Sequence, residues 1–150
     1  MRRASARGAL PLTPSEALRL WSDVERWPSF VEGFARLLEL SPEWPAPGAR
    51  VVWESAPDGR GRVTEAVKES DSERFSTQVF EEALMGTQTL RVLPAKDGSE
   101  VELSLEYELA RYGPLRGLAD AIFIRRALRD ALRRTLRRFA IEADEEARLA

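Results

Sequence analysis

Six segments of strand character follow one another between residues 35 and 109, and from Gly113-Pro114 onward the chain meets no further proline. This order constrains the fold more than any single motif does. The segments are residues 35–40, 50–55, 62–69, 75–81, 87–93 and 101–109. Turn-forming clusters separate them: Pro42 to Gly48, Pro57-Asp58-Gly59, Ser70-Asp71-Ser72 and Asp97-Gly98-Ser99. In the last segment Val101, Leu103, Leu105, Tyr107 and Leu109 alternate with Glu102, Ser104, Glu106 and Glu108, so one face meets a core and the other meets water. Beyond Pro114, Leu118, Ile122, Leu128, Leu132, Leu136, Phe139 and Ala143 recur with helical period. Consecutive strands joined by short turns pair antiparallel, and one long amphipathic helix must lie across their apolar face. The expectation is an α+β fold: a sheet of about six or seven strands gripping a helix that begins near Pro114.

The N-terminal part reads as a strand over residues 4–12, made irregular by Gly8 and Pro11, followed by helix. Thr13-Pro14-Ser15-Glu16 is a capping box with proline at the first helical position. Leu18, Trp21 and Val24 then bury one helical face, and Pro28 ends this helix and opens a second short one. Trp21 and Trp27 are read as anchors of these helices.

Composition removes whole classes of chemistry. The chain has 150 residues, no cysteine and no histidine. Disulfides, thiol catalysis, the usual zinc sites and every histidine-dependent triad are therefore absent. No set of carboxylates is spaced for a metal, and no cofactor is expected. Gly59-Arg60-Gly61 is a turn between strands, with none of the features of a phosphate loop. With 43% hydrophobic residues and a net charge of -2, the chain is suited to a packed core rather than to disorder. Residues 1–150 are expected to form one domain, with a core over about residues 4–143 and an acidic C-terminal tail. No apolar run approaches membrane-spanning length, and Ala9-Leu10-Pro11-Leu12 is too short for a signal peptide, so a cytoplasmic protein is expected.

Several passages carry a family likeness. Thr13-Pro14 leads through Trp21 to Asp23-Val24-Glu25-Arg26-Trp27-Pro28. The penultimate hairpin holds Leu90, Val92, Pro94 and Asp97-Gly98. Tyr107 ends the last strand, and Gly113-Pro114-Leu115 opens the final helix. In these features the chain resembles the START-like, or Bet v 1-like (SRPBCC), superfamily, and more narrowly its polyketide cyclase/dehydrase and coenzyme Q-binding branch. The resemblance implies a helix-grip fold, in which a curved antiparallel sheet wraps around the long helix and leaves a cavity for an apolar ligand. Members include lipid and quinone carriers, polyketide aromatase/cyclases and ribosome-associated toxins, and the fold alone does not choose among them.

The residues themselves suggest where such a ligand would lie. Trp53, Leu90 and Tyr107 are inward candidates on three strands, and Tyr107 adds a polar tip to an apolar surface. Glu65 is in phase with Val63 and Val67 and so points inward as well. Phe75, Val79 and Phe80 occupy both phases of their strand, and their facing is open. On the helix, Leu118 and Ile122 line the inner side. Arg125 falls between Leu118, Ile122 and Leu132 on the helical wheel. One reading has it lining the cavity and binding an anionic or carbonyl group of the ligand. The other has it snorkelling past the sheet edge or pairing with a structural carboxylate.

Charge is distributed unevenly. Residues 116–138 hold eight arginines against Asp120 and Asp130, a local balance of +6. A solvated, ion-paired helix face is one reading, and contact with RNA or an anionic membrane is the other. No aromatic residues interleave with these arginines as single-strand binding favours, and no DNA partner is expected. Three functions remain: carriage of a small hydrophobic ligand such as a lipid, quinone or polyketide-like molecule; polyketide cyclase, aromatase or dehydratase activity, which needs only a shaped pocket and one or two polar groups; and an RNA-, ribosome- or membrane-binding module using the arginine face.

Overall fold

A computed structural model describes residues 2–109 and 118–149, with the side chains of 118–121 outside that description. The strands are β1 (Arg2–Leu10), β2 (Phe34–Leu40), β3 (Arg50–Ser55), β4 (Arg62–Ser70), β5 (Arg74–Phe80), β6 (Leu84–Ala95) and β7 (Gly98–Leu109). The helices are α1 (Pro14–Ser22), a single 3₁₀ turn (Val24–Arg26), α2 (Trp27–Phe30) and α3 (Leu118–Leu149). The strands form one curved antiparallel sheet in the order β1-β7-β6-β5-β4-β3-β2. The α+β expectation of a sheet gripping a long C-terminal helix holds. The helix entry expected at Gly113-Pro114 lies outside the described residues.

Local sequence explains most boundaries. The Thr13 hydroxyl accepts from the Glu16 backbone N–H at 3.3 Å, and the Thr13 N–H donates to Glu16 Oε1 at 2.9 Å, completing the capping box. β6 extends beyond residues 87–93 at both ends, taking in Gly86 and Pro94, and β7 begins at Gly98 rather than Val101. The Val92 N–H donates away from β7, to the Glu73 carbonyl at 2.7 Å. Pro94 shares that phase, and β5 no longer flanks β6 there, so its missing N–H removes no ladder bond.

The helices close one end of the sheet around three rings. Trp21 stacks on Phe30 at 5.4 Å, and Phe139 meets both edge-on, at 5.1 and 5.0 Å. Trp27 and Trp44 are tied in by their indole N–H groups, which donate to the carbonyls of Trp21 and Ser22 at 2.8 and 2.7 Å. The anchoring role expected for Trp21 and Trp27 is found.

α3 runs alongside β1. Arg125 Nε donates to the Arg3 carbonyl, and a side-chain carbon added at Gly8 would touch Leu136 at 3.5 Å. From Arg125 to Leu136 along the helix, and from Arg3 to Gly8 along the strand, the rise is about 16 Å in each case. Among the described residues of the expected apolar stripe, Leu132, Leu136, Phe139 and Ala143 are buried, whereas Ile122 is exposed and Leu128 half-buried. The expected acidic tail is not a tail. The helix continues to Leu149, and Glu142 and Glu146, one turn apart, both hold Arg26, at 2.8 and 2.9 Å. Among the described residues no helix is long and apolar enough to cross a membrane.

Candidate functional site

The inner face of the sheet is assembled by register. Val51 lies opposite Glu65, Glu65 opposite Val79, Val79 opposite Gly86, and Gly86 opposite Tyr107. Directly opposed residues share a face, so this row crosses five strands on the side that α3 flanks. Trp53 opposite Val63, and Phe75 opposite Leu90 opposite Leu103, extend the same surface. The open facing of β5 is thereby settled: Phe75 and Val79 point inward and Phe80 points out, 43% exposed.

Trp53, Glu65, Leu90 and Tyr107 are therefore all on the inner face, and all are buried. Glu65 is the unusual member. Its Oε2 accepts from the Trp53 indole N–H at 2.8 Å and its Oε1 accepts from the Thr77 hydroxyl at 2.9 Å. Arg60, on the β3–β4 turn, lies with its guanidinium 5.1 Å from the centre of the Trp53 ring and bonds Glu81 at 2.6 Å. Burial pushes the Glu65 carboxyl above the ordinary glutamate range. The Trp53 hydrogen bond, the Arg60 charge and the Thr77 hydrogen bond oppose this without cancelling it, and Glu81 adds to it.

Tyr107 differs in kind. Its side chain is fully buried, and its hydroxyl has no hydrogen-bond partner among the described residues. A buried hydroxyl left in this way costs about 1–3 kcal/mol. Half-buried Gln88, in phase with Leu90 and opposite Leu105, is an uncharged polar side chain on the adjoining row.

The helix contributes less to this face than its wheel implies. Arg125 is exposed, and its Nε donates to the main-chain carbonyl of Arg3 at 3.1 Å. It clamps the edge strand and does not line the inner surface. Ile122 is corrected as well: it is 50% exposed rather than inward. The side chain of Leu118 lies outside the described residues. The sequence reading missed Thr77, Gln88, Arg60 and Glu81. Phase alone marks Thr77 (with Phe75 and Val79) and Gln88 (with Leu90), whereas Arg60 and Glu81 meet only through the paired strands. Among the described residues, no group of three or more acidic side chains is placed to hold a metal ion.

The state of Glu65 gives a stability prediction. A carboxyl raised on folding contributes stability that is complete below its ordinary value of 4.5 and is lost as pH rises through the raised value. Glutamine keeps an acceptor for Trp53 and never ionises. Glu65→Gln should therefore match the parent in acid and exceed it increasingly as pH rises. Urea unfolding from about pH 4 to about pH 8 reads this directly; parallel stability curves would show that Glu65 ionises as freely in the fold as in the open chain.

The comparisons with known proteins agree with this geometry. The model of the family described as "Polyketide cyclase / dehydrase and lipid transport" matches residues 1–144. A search of curated proteins gives no match. Among solved structures, TTHA0849 from Thermus thermophilus superposes with a TM-score of 0.76 at 19% identity, covering 97% of this chain and 99% of that one. The di-domain ARO/CYC StfQ of the steffimycin biosynthetic pathway gives 0.77 at 15% identity, covering 97% of this chain and 51% of StfQ. Ara h 8.0201 gives 0.68 at 13% identity, covering 96% and 98%. At these identities the superpositions establish a shared START-like, Bet v 1-like helix-grip fold and nothing narrower. The family match spans nearly the whole sequence, and the chain belongs to the polyketide cyclase / dehydrase and lipid transport family.

Proposed function

We propose that this protein binds a small, mostly apolar ligand carrying at least one oxygen, such as a quinone, a lipid or a polyketide-like molecule, between the inner sheet face and α3. The observation that carries the reading is the buried Tyr107 hydroxyl without a partner among the described residues. A ligand oxygen accepting from it would satisfy the group at the centre of an apolar surface formed by Leu90, Val79 and Leu103. Tyr107 is closed off from solvent, so entry requires the cover of this face to move. Trp53, Glu65 and Leu90 belong to the same surface; Ile122 and Arg125 are not included.

Menadione and methylnaphthalene, which share a bicyclic skeleton and differ in the two carbonyl oxygens, test the reading by calorimetric titration. Tyr107→Phe should weaken menadione binding about three- to tenfold, the loss of one neutral hydrogen bond, and leave methylnaphthalene within about twofold. The variant should be at least as stable as the parent, since it deletes a buried unpartnered group. Equal losses for both ligands, or no loss for menadione, would remove Tyr107 as the polar anchor.

A second reading, cyclisation or dehydration of a polyketide-like substrate, is favoured by Glu65. A buried carboxyl with raised proton affinity and a tyrosine hydroxyl on one apolar face form a pair suited to taking and giving a proton. StfQ, named as an ARO/CYC, has the same fold. On this reading Glu65→Gln abolishes turnover of a reactive polyketide-like substrate while leaving menadione affinity in place; on the carrier reading no turnover occurs in either form.

A further inference from the structure

The end of the molecule where β1 begins combines two properties. Phe123 is 71% exposed and Ile122 50% exposed, consecutive on the first described turns of α3. Around them the surface is basic. Arg126, Arg129, Arg133 and Arg137 are all exposed and fall within about 60° of Ile122 on the helical wheel, on one border of the buried arc of Leu132, Leu136, Phe139 and Ala143. Asp130 is the one acidic side chain described between Ile122 and Arg138, and it reaches Arg133 only at 3.9 Å. The bond from Arg125 to the Arg3 carbonyl sets this part of α3 beside Arg2 and Arg3, which are exposed as well.

We propose that this face docks on an anionic phospholipid bilayer, with Phe123 and Ile122 entering the interfacial region and the arginine row lying against the headgroups. Charge complementarity identifies a polyanion, and the two apolar side chains choose among polyanions. RNA would answer the arginines and leave Phe123 in water, whereas a bilayer surface accommodates both from one side. The protein as a whole is slightly acidic, with a net charge of -2, so attraction must be local and orienting. The acidic groups Glu142 and Glu146 lie toward the other end of the same helix, paired with Arg26 and away from the arginine row. This inference stands independently of any ligand at Tyr107.

Co-sedimentation of the full chain with vesicles tests it. Vesicles of phosphatidylcholine with about one-third phosphatidylglycerol should bind at least about tenfold more tightly than phosphatidylcholine alone, and the difference should collapse between about 0.1 M and 0.5 M salt. Arg126→Glu with Arg129→Glu should abolish the difference. Phe123→Ser should weaken binding to the anionic vesicles about tenfold, while Ile141→Ser, exposed far along the helix, should not. All four positions are exposed, so these variants should keep the parent's thermal transition, which confirms that folding is not what changes. Equal binding to both vesicle types, indifference to the charge reversal, or binding of a polyuridine RNA without any vesicle binding would each overturn the proposal.

Discussion

Alanine at position 86 is expected to destabilise the protein by about 2–3 kcal/mol, through one added carbon atom. That carbon would overlap the carbonyl oxygen of Glu106 and lie 2.9 Å from the Cα of Tyr107. Both obstacles are backbone, so no side-chain rotation relieves them, and the β6–β7 pairing must shift. Gly86 stands directly opposite Tyr107, so the tyrosine that we propose as ligand anchor moves with it. Gly86→Ala should therefore lower the thermal midpoint and weaken menadione binding together. Gly8→Ala is the matched control: its added carbon meets Leu136 at an ordinary 3.5 Å, and stability should stay within about 0.5 kcal/mol of the parent. A Gly86→Ala protein with unchanged midpoint would mean that the close approach of β6 to β7 is relaxed at no cost.

Phe139→Ala should have the larger effect, about 3–5 kcal/mol. Phe139 is fully buried where α1, α2 and α3 meet, against Trp21 and Phe30. Its removal leaves a void that none of the three helices can close alone, because Trp27 and Trp44 hold α2 and the β2–β3 loop by hydrogen bonds to the Trp21 and Ser22 carbonyls. For a chain of this size the loss corresponds to a fall of roughly 10 °C in the thermal midpoint. Combined with Trp21→Ala the cost should be clearly less than the sum, since the two rings share one contact. Strict additivity would separate them energetically despite their 5.1 Å approach.

Where periodicity is strict, the sequence and the structure coincide. The alternation from Val101 to Leu109 places Tyr107 inward, and the phase of Val63 and Val67 places Glu65 inward, because a period of two leaves no intermediate orientation. On β5 the same logic stalls: Phe75, Val79 and Phe80 are all apolar, and only pairing with Leu90 and Met85 separates them. The helix fails for another reason. A wheel gives an angle around the axis and says nothing of how far along it the partner surface extends. Ile122 and Arg125 have the angle of a core position but are exposed, Leu128 is half-buried against the core, and Leu132, Leu136, Phe139 and Ala143 are buried. Contacts between distant segments, such as Arg60 with Glu81 or Arg134 with Glu32, carry no local signal at all.

The strand order has a kinetic consequence. β1 is made first and pairs with β7, Arg2 against Tyr107 and Leu10 against Ser99, while every other pairing joins strands adjacent in sequence. The run from β2 to β7 can zip hairpin by hairpin as the chain leaves the ribosome, each step closing a short loop. β1 must wait for β7, the strand farthest from it in the chain. The sheet is therefore completed only after the β2–β7 run, and until β1 docks the chain carries an unpaired β7 edge, the segment most in need of protection from other chains.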